Sequence, residues 1–270
     1  MLRRCRMNIF FRELRANLKS LIIWCVIMGL LILIAVSKFS AFAGDPEMVA
    51  ILDSMPSALI DALSMRAFNL TTLSGFYGLM FIYFGLLGGI AAAMWGSETI
   101  SKEERGKTVE FSLVLPVSRS RVITAKALAA LVNCIAFVLV TWGFSLVAVQ
   151  SYNPDREFYQ FLALEMGAMF FIELIFLSLG LFLGCSMKQY KRTSATAIAV
   201  ILVTYFLSIM SGMHKDLEFL KYFTPFKYFD AGDLFRTGSF DGAYLLITAA
   251  IVLVCVSAAY YTYNKRDLYI

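Results

Sequence analysis

The chain has 270 residues, 60% of them hydrophobic and 16% charged, with a mean hydropathy of +0.73. A soluble domain carries about a quarter charged residues, so this composition excludes a single water-soluble core and makes a lipid bilayer the solvent for much of the surface. The formal net charge of +5 implies no nucleic-acid partner here, because the basic residues gather in the segments between apolar runs.

Residues 1–19 hold Arg3, Arg4, Arg6, Arg12, Arg15 and Lys19, opposed only by Glu13. Met7, Phe10, Phe11, Leu14 and Leu18 recur at helical spacing. The pattern predicts a basic amphipathic helix lying on a membrane surface; a plain positive flank for the first span would need the charges but not the apolar stripe. The stretch is too long and too charged for the n-region of a signal peptide, and no small-residue cleavage site closes the apolar run behind it.

Six apolar segments follow, at 21–36, 73–96, 127–149, 161–184, 193–210 and 243–263. Each is near the ~17–25 residues that cross a bilayer as a helix. A helix is the form that pairs its own backbone in lipid. Lys and Arg orient the spans. All but seven of the 24 fall in 1–20, 97–126, 185–192 and 264–270. The exceptions are Lys38, Arg66, Arg156, Lys215, Lys221, Lys227 and Arg236. The positive-inside bias predicts both termini in the cytoplasm. The expected fold is therefore all-α: one transmembrane domain over 1–270, with six spans, an N-terminal interfacial helix and a cytoplasmic segment at 97–126 between spans two and three.

Two outside loops are long. In 37–72, Ile51, Leu52, Met55, Leu59, Ile60 and Leu63 form an apolar stripe broken by Pro56, which predicts a short interfacial helix. The loop 211–242 contains FLKYFTPFKYFDAGDLF. It is too apolar for a free loop and is expected to dip into the outer leaflet or cap the bundle.

Enzymatic chemistry finds little to work with. There is one His, His214, with no HExxH, no GxSxG and no Cys/His cluster, so no metal site is expected. No GxxxxGK[ST] run is present either, so the chain itself is expected to bind no nucleotide cofactor. Two carboxylates sit in the fourth span. Glu165 is near its outer end. Glu173 is near the middle, where an ionised group costs roughly 2.5–3.5 kcal/mol on insertion scales. Two readings stand for Glu173. It lines a pathway or touches cargo, or it is a protonated or hydrogen-bonded side chain fixing one helix to another, with Asn133 of the third span as the partner. Gly85 with Gly89, and Gly180 with Gly184, have the spacing of close helix packing. Trp95, Tyr152, Tyr159 and Tyr260 lie where an aromatic belt is expected.

The segment 97–126 alternates charge through Glu98, Lys102, Glu103, Glu104, Arg105, Lys107 and Glu110. An apolar patch follows at Phe111, Leu113, Val114 and Leu115, then the turn Pro116-Val117-Ser118-Arg119. Ser118 or Ser120 is placed to cap the helix that leads through Lys126 into the third span. An apolar patch followed by a rigid turn favours an amphipathic helix offered to a cytoplasmic partner, although a helix lying back on the membrane has the same signature.

The run from Glu103 through Phe111, with Leu115-Pro116-Val117-Ser118-Arg119 and Lys126, resembles the coupling segment of ABC-2 type permeases, the membrane subunits of ATP-driven exporters. The usual form is an acidic pair, Gly-Thr-x-Glu, leucines, then Pro-Val-Ser-Arg. Here Lys107 stands where Gly commonly precedes Thr, and Ser112 interrupts the leucines. Met55-Pro56 to Leu63, Phe223 to Phe229 and Lys265-Arg266-Asp267 resemble other parts of a Gram-positive branch of the family, so the match runs the length of the chain. The resemblance implies a half-transporter in a bacterial cytoplasmic membrane. It would pair with a second copy or a related permease and dock two ABC ATPase subunits that carry ATP and Mg. It implies coupling through Glu103, Glu104, Arg105, Thr108, Glu110, Phe111, Pro116, Val117, Ser118 and Arg119. The expected cargo is hydrophobic or amphipathic (a drug, an antimicrobial or toxin peptide, or a lipid-like molecule), with Glu173, Asn133 and Glu165 as pathway candidates. Two alternatives from other classes are an ATP-independent immunity or scaffold protein that sequesters a peptide, and a secondary transporter, which would show paired halves.

Overall fold

The computed structural model describes residues 2–40, 68–105, 118–187 and 189–265. Among them the chain is helical, with no strand. Six long helices carry the architecture: α1 (Leu2–Phe39), α2 (Leu73–Arg105), α3 (Arg119–Val149), α4 (Arg156–Ser186), α5 (Tyr190–Met213) and, after the short α6 (Pro225–Tyr228) and α7 (Ala231–Thr237), α8 (Gly242–Lys265). All six are long and apolar enough to cross a membrane.

The helices overrun the segments expected from hydropathy. The surface helix expected at 1–19 is not set off from the first span; α1 is one continuous helix of 38 residues. The physical reason is local. No Gly or Pro stands between Leu2 and Met28, so nothing breaks the i to i−4 ladder where polarity changes. Likewise α2 runs on to Arg105, so the first part of the expected cytoplasmic segment is the last turns of the second span. Residues 106–117, with Thr108, Glu110, Phe111, Pro116 and Val117, lie outside the described residues. So do 41–67, where the first loop helix was expected, and Arg266 and Asp267.

Helices α2 and α4 form the centre. They pack along their lengths, with α1 against α3, α5 against α2 and α8 against α4. More than half of the apolar stretch of α2, α3 and α4 is buried, but only 11% of that of α8. The α2–α4 approach depends on glycine. A Cβ at Gly180 would fall 2.4 Å from the Ala93 carbonyl oxygen, and one at Gly96 would fall 2.3 Å from that of Leu177. Backbone meets backbone there, as small residues allow between membrane helices.

The turn into α4 is closed by Asn153, which adopts a left-handed φ of 47°, and by Asp155, whose side chain accepts from the Phe158 amide at 2.8 Å. At the same end of the bundle α6 and α7 fold inward. Phe226 packs on Phe176 of α4 (5.5 Å between ring centroids), and Phe229 stacks on Phe171 (5.3 Å). Lys227 pairs with Asp230 at 2.8 Å, and Asp230 caps α7 by accepting from the Gly232 amide. Tyr228 stacks on Tyr244 of α8 at 5.1 Å. Burial raises the Tyr228 phenol above its usual range, with Tyr244 adding to the shift. The aromatic loop thus caps the bundle rather than lying free.

Candidate functional site

The chemistry of the bundle is concentrated in a polar seam between α2, α3 and α4. From α3 come Cys134, Thr141 and Ser145, seven and eleven residues apart and so on one helical face, with Asn133 beside them; all are buried. From α2 comes Tyr77, whose hydroxyl bonds Ser145 Oγ, while Ser145 donates to the Thr141 carbonyl at 2.8 Å. From α4 come Glu165 and Glu173. They are eight residues apart, about 12 Å along the axis.

Both glutamates are completely buried; the carboxyl oxygens of Glu165 have no hydrogen-bond partner among the described residues, and those of Glu173 meet only the Cys134 thiol. Glu165 faces Tyr77. Glu173 faces the thiols of Cys134 on α3 and Cys25 on α1. It also lies flat against α2, where a Cβ at Gly88 would fall 2.9 Å from its Oε1. An ionised carboxylate costs roughly 2.5–3.5 kcal/mol at this depth on insertion scales, and among the described residues neither has a counter-charge. That cost favours the neutral form of each acid, and a buried carboxyl oxygen left unpaired adds about 1–3 kcal/mol. The hydrogen bond expected from Asn133 to Glu173 is not made; Asn133 Nδ2 has no partner. The seam is therefore polar without being satisfied, unlike a bond that locks two helices.

Below Glu173, toward the end that carries the chain termini, a cavity of about 240 Å³ opens between α2, α3, α4 and α8. Leu174 and Leu177 of α4 line it with Gly96, Ser178, Val256 and Tyr260. It is apolar with a few hydroxyls, which suits an amphipathic body.

The same end is tied by a second polar constellation. Lys102 of α2 pairs with Glu13 of α1 and donates to Asn17 Oδ1 at 2.9 Å. Trp95 Nε1 donates to Ser20 Oγ at 3.1 Å. Glu13, Asn17 and Ser20 recur at three and four residues and face α2 as a strip. On another side of α2, the buried Lys126 of α3 donates from Nζ to the Thr99 carbonyl at 2.7 Å, and Ser97 meets Ser194 of α5 at 3.1 Å. The start of α3 is tied to α8 through Arg119 Nη1 to the Tyr263 carbonyl (3.4 Å) and Thr124 to Tyr260 (2.7 Å).

Of the coupling residues, Glu103, Glu104 and Arg105 end α2. Ser118 is the N-cap of α3 by position, but its side chain makes no capping bond, and Ser120 turns to Asn264 instead. Trp95 is no belt residue; it is 2% exposed and hydrogen-bonded inside the bundle, as buried Trp usually is. The sequence showed Glu13 and Lys102 as charges only; their pairing, the part of Asn17 and the depth of Lys126 were not expected from it. The polar i, i+4, i+7 strip in α1 is the signal that marks them.

A family model described as ABC-2 family transporter protein matches residues 7–268. Among curated proteins no match was found.

Proposed function

Because the chain belongs to the ABC-2 transporter family, and is thereby a multi-pass membrane transport component, we propose that it is the permease half of an ATP-driven exporter for amphipathic cargo. Membership implies partnering with ABC ATPase subunits. Two such subunits would dock beneath a pair of permeases, themselves two copies of this chain or this chain and a related one. Both termini would lie in the cytoplasm of a bacterial cell, and ATP and Mg would bind on the partner. The observation that carries the reading is the way the segment 103–119 is flanked. It leaves α2 at a point tied to α1 through Lys102 and Glu13, and it enters α3 at a point tied to α8 through Arg119. A push on that segment reaches four of the six spans through bonded contacts, and α2 and α3 bear two walls of the polar seam. ATP binding would close the ATPase dimer, displace 103–119, and part the seam between α2, α3 and α4.

Gentle solubilisation of the tagged protein is expected to bring down a stoichiometric P-loop ATPase; purification without one counts against an exporter and for an ATP-independent sequestering protein. With the complex in hand, Glu104→Ala and Arg119→Ala are expected to uncouple ATP hydrolysis from export. Unchanged stimulation and unchanged export in both would remove 103–119 from the transmission route.

A further inference from the structure

The two buried glutamates, taken with the exporter reading on which this inference rests, define the charge of the cargo. We propose that the seam binds a lipophilic cation, an amine or onium group carried on an apolar body, with Glu173 as its counter-charge. The argument starts from what the seam lacks. The titratable groups around Glu173 are the thiols of Cys25 on α1 and Cys134 on α3, and around Glu165 the phenol of Tyr77 on α2. None is a cation. Lys126, the buried ammonium of the bundle, is engaged at the Thr99 carbonyl and belongs to the end tied by polar contacts. An opening that wets the seam would expose two acids with no positive neighbour, and a positive cargo supplies what the protein does not.

Shape and surface agree with charge. The cavity of about 240 Å³ is lined by Leu174 and Leu177, the residues one and four positions after Glu173. An apolar body lodged there has its head near mid-membrane. On the other side of Glu173, Phe176 leads through Phe226 to Tyr205, at centroid separations of 5.5 and 5.8 Å. Aromatic faces beside a carboxylate attract organic cations through their quadrupole and tolerate many shapes. In the resting arrangement Glu173 keeps its proton; the arriving cation displaces it to water, and one proton is released for each cation bound. Glu165, about 12 Å further along α4, repeats the exchange toward the far side.

The test uses tetraphenylphosphonium as the cation and triphenylphosphine oxide as a neutral aryl control, with the permease and its ATPase in nanodiscs. Equilibrium binding of tetraphenylphosphonium is expected to be saturable and to tighten by up to about tenfold per pH unit while the empty site holds its proton. In Glu173→Gln, which keeps volume and neutrality, binding is expected to weaken by about tenfold or more and to lose its pH dependence. Triphenylphosphine oxide is expected to bind weakly and independently of pH. Binding of the cation that ignores pH in the unaltered protein overturns the proposal, whether or not the Gln variant folds; so does equal binding of the neutral control, or full binding in a folded Glu173→Gln. If no ATPase joins the complex, the exporter reading fails alone, because the cation measurement is then made on the permease by itself.

Discussion

Lys102 and Glu13 show how much one pair of side chains carries here. Glu13 is 5% exposed whereas the Lys102 side chain is 21% exposed, so the carboxylate, far more than the ammonium, depends on its partner. Removing one leaves the other buried and uncompensated, which costs about 3–5 kcal/mol in deep sites and less where water reaches. Lys102→Met is expected to destabilise the protein by about 3 kcal/mol, read as a lowered unfolding midpoint in detergent. A double variant that also replaces Glu13 with Leu is expected to recover most of the loss. Equal loss in both would mean that packing of the Lys stem, not its charge, holds α1 to α2. At the same scale, Glu173 was visible in the sequence as an acid inside a span. That it faces thiols rather than an amide was not, because a partner is a matter of three-dimensional neighbours; Asn133 sat at a plausible depth on the right helix, but its amide nitrogen makes no hydrogen bond.

Among elements, the α2–α4 contact is the least tolerant of change. At Gly180 the opposing atom is a carbonyl oxygen, which has no rotamer to give way. Gly180→Leu is expected to force the helices apart, costing at least about 1–3 kcal/mol as overpacking does and disrupting assembly with the ATPase. Gly143→Leu is the matched control, because nothing lies within 4 Å of a Cβ there. Thermal unfolding of the two variants side by side checks the contrast. The spacing of Gly180 and Gly184 announced a close contact without saying to which helix. The same holds for rank within the bundle. The spans α4 and α8 are about equally apolar, yet one is mostly buried and the other mostly exposed. In water apolar surface points inward, but lipid rewards apolar surface on every side, so hydropathy finds spans and does not order them. The overrun of α1 and α2 has another cause: boundaries were drawn where polarity changed, and helices end where capping or chain-breaking residues stop them.

For the whole molecule, six helices alternate through the membrane and return the chain to the side on which it began. The excess of Lys and Arg is the reason for proposing that this side is the cytoplasmic one. Single cysteines introduced at Ser239, between α7 and α8, and at Asn264, at the end of α8, test this directly. In intact cells a membrane-impermeant maleimide is expected to label position 239 and to reach 264 only after permeabilisation; the reverse pattern would invert the topology and with it the direction of export. The six spans were legible in composition, since spanning helices obey a length rule; the orientation rests on the counting rule, which the labelling experiment tests. The site was legible as residue types, two acids and a charged segment, and became an arrangement only once three helices brought Tyr77, Cys134 and Glu173 into one seam.

The unbroken α1 has a consequence for the lipid around it. Apart from Phe11, which lies among the basic residues, its exposed large apolar side chains run from Leu18 to Ile34, a band of about 24 Å at helical rise, whereas hydrocarbon is about 30 Å thick. Arg15 and Lys19 at one border and Lys38 at the other can snorkel to close the difference, at fractions of a kcal/mol per Å. Because the band and the basic stretch before it are one rod, a thicker bilayer does not simply bury more of α1. It draws on the same helix that holds Lys102 by Glu13, so acyl-chain length acts as a mechanical load on the end of the bundle where α1 and α2 are tied.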